Sequence, residues 1–312
     1  MNNVIAIPVN DTFSFPECHW FLDRNFDECL HRIGEDHVIK ALRVDGRPVL
    51  VRISAQAKAD ADANVNAGTL HAAVLNQPLT PAIQSAVTAY IREWFDLDRD
   101  ILPFYRLLKK HKPLAYMAND FRGLRLIGIP DLFEAIAWSI TGQQINLKFA
   151  YRLKRRLVEA YGEAIHFGGE THYIFPEASR LAAADPEDLR AMQFSARKAE
   201  YLIIAAQAFA TGQISKEKLK QLPDLAARQK ALTDIKGIGI WTANYSLMKS
   251  LQEQASIPYG DAGLLNALLQ HGVIRDKNDQ ASMARLFQQF PGWESYVVFY
   301  CWRSLARPAF QR

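Results

Sequence analysis

Asp261 sits in the run Ile257-Pro-Tyr-Gly-Asp-Ala-Gly-Leu-Leu-Asn266, where Pro258 and Gly260 break the chain just before it. The residues after it, Ala262–Leu269, carry a helical pattern, so Asp261 is placed at a helix N-terminus. The plain reading is an N-cap, in which the carboxylate accepts a backbone N–H of the first turn. A chemical reading is compatible with it, because a helix N-terminus favours the charged carboxylate, and an ionised Asp can orient or deprotonate a water. Upstream, Leu232-Thr-Asp-Ile-Lys-Gly-Ile-Gly-Ile-Trp-Thr-Ala243 joins two helical stretches through Gly237 and Gly239. Two glycines flanking one apolar residue let the backbone turn tightly and approach a neighbour without a Cβ clash. The amides of that turn and of the new helix point outward as an anion site suited to a phosphate. Ile238 is expected to plug the turn into its own core. An ordinary glycine-closed corner between helices is the alternative for Gly-x-Gly alone.

The elements that must position these residues are read from periodicity. From about residue 97 onward the chain is almost wholly helical. Pro130-Asp131 opens an apolar-periodic helix through Phe133, Ile136, Ala137 and Ile140, and Leu147–Tyr161 is a second helix stopped at Gly162. Asp185 caps a helix with Pro186 at its first position, Arg197–Thr211 is another, and Leu225–Ile235 leads into the glycine turn. Residues 1–96 differ. Val38–Val44, the Asp45-Gly46 turn and Pro48–Ile53 form a β-hairpin, Leu70–Leu75 is a third strand, and Pro81–Trp94 is a helix. A charged stretch at about 96–113 reads as an exposed linker. The fold class is therefore mainly α with an N-terminal α+β domain. Its units are 1–96 (antiparallel sheet), 130–250 (helical, with the glycine turn), and 97–129 plus 251–312 (a second helical lobe carrying Asp261).

Bulk properties set outer limits. The 312 residues are 49% hydrophobic and 22% charged, ordinary for a globular chain with a real core. A net charge of +4 permits a polyanionic partner without demanding one. Cys18, Cys29 and Cys301 fit no zinc spacing, and three thiols fall short of the four that an iron–sulfur cluster takes. The N-terminus lacks the pattern of a signal peptide and no run of about 18 apolar residues spans a membrane. A cytoplasmic chain, monomeric and without a membrane partner, is expected.

The string Leu-x-x-Ile-x-Gly-Ile-Gly-x-x-Thr-Ala, with Asp261 placed 22 residues after Gly239, resembles the helix–hairpin–helix DNA glycosylase superfamily. The similarity is closest to the bacterial DNA-3-methyladenine glycosylase II group and covers roughly 120–305, including Gly123-Leu-Arg-Leu, Leu181-Ala-Ala-Ala-Asp-Pro186 and Lys198-Ala-Glu. The resemblance implies a helix–hairpin–helix glycosylase core that holds double-stranded DNA containing damaged bases. Lys236, Gly237, Ile238, Gly239 and Thr242 would face the DNA backbone, and the carbonyls of Thr233, Ile235 and Ile238 would hold a Na⁺ or K⁺ ion. No cofactor would be required for catalysis. It assigns Asp261 as the catalytic carboxylate, countering the positive charge that develops on the sugar when an N-glycosidic bond breaks.

Members that also cleave the backbone carry a Schiff-base Lys where this chain has Trp241. The resemblance therefore implies a monofunctional glycosylase of base excision repair. Trp241, Tyr245 and Trp302 match an aromatic cleft that stacks on a flipped, electron-poor alkylated purine of the 3-methyladenine or 7-methylguanine type. Gln143 and Gln144 fall in the turn that fills the gap left in the duplex, with Gln144 at the wedge. Lys148, Arg152 and Arg155 share a helix face, open to either DNA or solvent. Pocket aromatics from the N-terminal domain fall among His19, Trp20 and Phe21. The competing readings are an oxidised-base glycosylase of the same fold and a non-catalytic DNA-binding protein that keeps the hairpin.

Overall fold

A computed structural model describes residues 3–23, 27–56 and 68–306. The N-terminal unit runs β1 (Val4–Pro8), α1 (Phe15–Leu22), β2 (His31–Ile33), β3 (His37–Val44), β4 (Arg47–Gln56), β5 (Thr69–Val74) and α2 (Pro81–Trp94). Its five strands order as β1-β5-β4-β3-β2, every neighbouring pair antiparallel. The Asp45-Gly46 hairpin forms as expected: both residues have positive φ, and Val44 pairs with Arg47 across the turn. Strands β1 and β2 at the sheet edges were not anticipated. β1 alternates in burial but is apolar throughout, Val-Ile-Ala-Ile-Pro, so no polar residue marks the alternation, and β2 is only three residues long.

The helical part follows: α3 (Leu102–Lys110), α4 (Met117–Asp120), α5 (Leu132–Gly142), α6 (Leu147–Tyr161), α7 (Ala178–Ala182), α8 (Pro186–Ala191), α9 (Ala196–Ala210), α10 (Lys216–Gln221), α11 (Leu225–Thr233), α12 (Ile240–Ser250), α13 (Ala262–Gln270), α14 (Gln280–Gln288) and α15 (Glu294–Leu305). Side-chain caps set most of the starts: Asp131, Asn146, Ser195, Asp224 and Asp261 each accept a backbone N–H of the turn that follows. A two-stranded hairpin, β6 (Glu163–Phe167) and β7 (Glu170–Ile174), interrupts the helices after α6. The sequence reading missed it, since only Ile165, His172 and Ile174 of its ten residues are buried.

Two cores organise the chain. One lies within the helical unit, where α5, α6, α9 and α12 pack around Ile136, Leu202 and Leu247. The other is continuous from the sheet (Ile7, Val51, Leu70) through α2 and α3 to α13, α14 and α15. The units expected at 1–96 and at 97–129 plus 251–312 therefore share one core. The 96–113 segment is part of that core and not an exposed linker. Phe104 and Leu108 are fully buried, and Asp96, 3% exposed, accepts from Tyr296 Oη and from Arg99 Nε, each at 2.7 Å. Burial of the Asp96 charge is tolerable because those two donors meet it. A fully buried Arg125 ties the N-terminal segment to the lobe, donating to the Arg99 carbonyl, Asn10 Oδ1 and Thr12 Oγ1 at 2.7, 2.9 and 2.8 Å.

Arg125→Met removes those three hydrogen bonds and the buried tie between the N-terminal segment and the lobe. It is expected to lower unfolding stability by about 2–4 kcal/mol, read as a lower urea midpoint in which sheet and helical signals move together.

Candidate active site

α13 and α15 bring the central pair together. Asp261 caps α13 by accepting the Leu264 N–H at 2.6 Å, and the same Oδ1 accepts the Trp302 indole N–H from α15 at 2.7 Å. Neither bond uses Oδ2. Gly263 permits the arrangement: a Cβ there would stand 3.1 Å from both Trp302 Cδ1 and Asp261 Oδ1, tight enough to push the indole away. Burial raises the Asp261 pKa above 3.8, and the N–H groups of Leu264, Trp302 and Gly263 work against that rise. The result is a carboxylate withdrawn from water and kept ionisable by donors.

Trp302 continues into an aromatic wall. Trp241 and Tyr245, one turn apart on α12, stack with ring centroids 5.5 Å apart at 21°, and Tyr245 meets Trp302 at 6.1 Å. All three are half-buried and line a cleft of about 1430 Å³ that also takes in Asp261. The structure thus gathers all four residues expected there. It also adds some that sequence reasoning missed. Trp138 of α5 lines the cleft and packs at 4.7 Å against Tyr151 of α6. Trp20 and Phe21 line the cleft too, whereas the His19 ring bonds the carbonyls of Gly34 and His37. Trp138 lay hidden in a strongly apolar helix, where one more aromatic reads as core.

The α11–α12 hairpin folds as expected. Gly237 has φ +92, and a Cβ there would lie 2.3 Å from Cγ of Tyr201, so only glycine fits. Ile238 is 3% exposed and plugs the turn. Gly239 N-caps α12 without any side-chain hydrogen bond, and the next residue, Ile240, is 52% exposed, so the helix N-terminus opens outward. Lys236 is exposed beside it and pairs with Glu200 at 2.5 Å. Of the carbonyls considered for a cation, Thr233 closes α11, and that of Ile235 accepts the Ile238 N–H at 3.1 Å, which leaves it one lone pair.

Two groups of side chains expected near DNA are placed as follows. Thr242 is 1% exposed, and its hydroxyl accepts from Gln143 Nε2 at 3.0 Å. That bond ties the end of α5 to α12, and Gln143 still lines the cleft. Gln144 next door is exposed in left-handed backbone, φ 55, at the tip between α5 and α6. The basic face of α6 also divides. Lys148 and Arg152 are exposed, but Arg155 pairs with Asp27 at 2.6 Å and Glu159 at 3.4 Å.

Gly237→Ala forces Tyr201 aside and holds an L-residue at positive φ, with an expected cost of about 2 kcal/mol or more. Gly239→Ala, at φ −84 with open space around the new methyl, is expected to cost about 1 kcal/mol or less. Denaturant unfolding of the two variants checks the contrast.

Comparison with known proteins agrees with this geometry. A family model described as "HhH-GPD superfamily base excision DNA repair protein" matches residues 137–291, and one described as "8-oxoguanine DNA glycosylase, N-terminal domain" matches residues 34–136. A DNA-3-methyladenine glycosylase of Bacillus subtilis is 36% identical over 310 residues, covering 98% of each chain. DNA-3-methyladenine glycosylase 2 of Escherichia coli is 32% identical over 58% of this chain and 65% of its own. Among solved structures, a 3-methyladenine DNA-glycosylase from Archaeoglobus fulgidus has the same fold, with TM-score 0.80 at 23% identity over 96% of this chain and 97% of that one. With a fold of this kind and a relative matched along its whole length, the chain belongs to the HhH-GPD superfamily of base excision DNA repair proteins.

Proposed function

We propose that this protein is a monofunctional DNA glycosylase that releases alkylated purines, of the 3-methyladenine and 7-methylguanine type, from double-stranded DNA. The observation that carries the reading is Asp261, held through one oxygen by Leu264 and Trp302 at the edge of an aromatic cleft. The 3-methyladenine glycosylases among its relatives support the substrate class.

The steps follow from the residues present. The outward amides at Gly239 and Ile240 hold a backbone phosphate, a contact that gives affinity without reading sequence. The Thr233, Ile235 and Ile238 carbonyls have the chemistry to hold a monovalent cation, which would add positive charge next to that phosphate. The damaged nucleotide leaves the stack, and the exposed Gln144 enters the gap, able to hydrogen-bond the orphaned partner base. Trp241, Tyr245 and Trp302 take the face of a base made cationic by alkylation. The C1′–N bond breaks with its electron pair going to the base. The Asp261 carboxylate counters the positive charge left on the sugar. Water then adds to C1′, and its proton passes to Asp261 and on to solvent. Trp241 cannot form an imine, so no lyase step follows.

A carboxylate whose pKa burial raises is costly to the fold when ionised, and protonating it as the pH falls relieves that cost. Asparagine keeps the N-cap without the charge. Asp261→Asn is therefore expected to melt no lower than wild type at pH 7 while releasing 3-methyladenine about 10²–10³-fold more slowly. Release within tenfold of wild type would overturn the mechanism. Borohydride treatment during turnover is expected to trap no protein–DNA adduct, and recovery of one would overturn the monofunctional assignment.

A further inference from the structure

The cleft has a second end that these steps leave unused. Its volume of about 1430 Å³ exceeds the about 300–1,000 Å³ usual for small-ligand pockets. Trp138 and Tyr151 lead from the Trp241–Tyr245–Trp302 wall to a group of charges, Glu28, Lys40, Glu134 and Lys154. Three of the four have partners. Lys154 Nζ lies 2.8 and 3.1 Å from the Glu28 oxygens and over the rings of Trp138 and Tyr151. Glu28 Oε1 also accepts the N–H groups of Cys29 and Leu30 at 2.8 Å. Lys40 stands 6.0 Å from the centre of the Tyr90 ring.

Glu134 is different. Among the described residues no hydrogen bond or ion pair reaches its carboxyl, and Lys40 and Lys154 act on it only through space. It is half-buried and lines the cleft. Burial raises its pKa, the mark of a carboxyl that has lost water without gaining a donor. Glu134 also stands one helical turn before Trp138 on α5, and Trp138 lines the same cleft as Tyr245. One helix, α5, therefore carries both this carboxyl and an aromatic ring of the cleft lining. A desolvated acceptor next to an aromatic platform fits a flat ligand with N–H groups on its rim. A purine alkylated at N3 or N7 carries positive charge in the ring, which makes its ring and amino N–H groups stronger donors, and charge-assisted bonds are roughly twice as strong as neutral ones.

Resting on the glycosylase reading above, the geometry points to Glu134 as the base-edge contact of the cleft, accepting an N–H from the rim of the flipped purine whose face lies on the aromatic wall. Glu134 thereby favours purines with N–H donors and positive charge. It does not touch the bond that breaks, and it plays no part in holding the DNA backbone.

The test compares wild type, Glu134→Leu and Glu134→Gln by two readouts: kcat/KM for release of 7-methylguanine from a methylated duplex, and Kd for a duplex with a stable abasic-site analogue. Glu134→Leu is expected to lose at least about tenfold in release while binding the abasic duplex within about twofold of wild type, because that duplex has no base to read. Glu134→Gln keeps an acceptor oxygen without the charge, so its release is expected to fall between the two. Glu134→Leu releasing at the wild-type rate would overturn the proposal. So would a parallel loss of release and abasic-duplex binding in both variants, which marks a structural role. Should Glu134→Leu fail to fold, Glu134→Gln decides alone: unchanged release would overturn the assignment. A wild type that releases no alkylated purine would defeat the glycosylase reading itself, a result separate from any of these.

Discussion

The hydrogen bond from the Trp302 indole to Asp261 is the constraint on which the site depends. A carboxylate taken out of water is costly unless donors meet it, and a cleft without such donors would raise the Asp261 pKa further. Here α13 supplies a backbone N–H and α15 supplies an indole N–H, both to Oδ1. The indole does a second job, because its ring continues the wall formed by Tyr245 and Trp241. One side chain therefore links the charge needed for bond cleavage to the surface that takes the base. Gly263, where a side chain would press on the indole, keeps that link available.

The rest of the fold follows from holding these helices in register. α12 carries the outward hairpin at one end and the aromatic pair along its first turns, so the backbone grip and the base platform are parts of one rigid element. The Gln143–Thr242 bond fastens the α5–α6 turn to α12 and fixes where exposed Gln144 stands relative to the cleft. α13 and α15 belong to the same core as the N-terminal sheet. The small sheet is thus a support for the lobe that bears Asp261, and it brings Trp20 and Phe21 to the cleft wall. Arg303 braces Trp20 from within the fold, 3.5 Å from the centre of its ring, while pairing with Glu17.

What the sequence made legible was local. α2 and α6 run between the residues where their period and caps set them, since Thr80 with Pro81 and Asn146 each announce a helix start. The glycine hairpin, Asp261 as an N-cap and the shared face of Trp241 and Tyr245 are likewise settled within a few residues. What escaped depends on distant partners. Lys154 reads as one more charge on a basic helix, yet it is 7% exposed because Glu28, 126 residues earlier, neutralises it. The resemblance sets Thr242 at the DNA backbone and says nothing of the bond its hydroxyl accepts from Gln143, 99 residues earlier. The 96–113 stretch reads as a charged linker, yet Tyr296 reaches Asp96 from 200 residues away. The β6–β7 hairpin has too little buried surface to mark itself by alternation.

The pH dependence of single-turnover 3-methyladenine release, wild type against Trp302→Phe, tests the account most directly. Release needs ionised Asp261, so the wild-type rate falls on the acid side through a pKa above the ordinary 3.8. Removing the indole donor takes away one of the groups that hold that pKa down. The account predicts that the acid limb of Trp302→Phe moves to higher pH, with a lower rate below it. An acid limb unmoved by Trp302→Phe would contradict it, because Asp261 would then not be the group whose charge the Trp302 bond sustains.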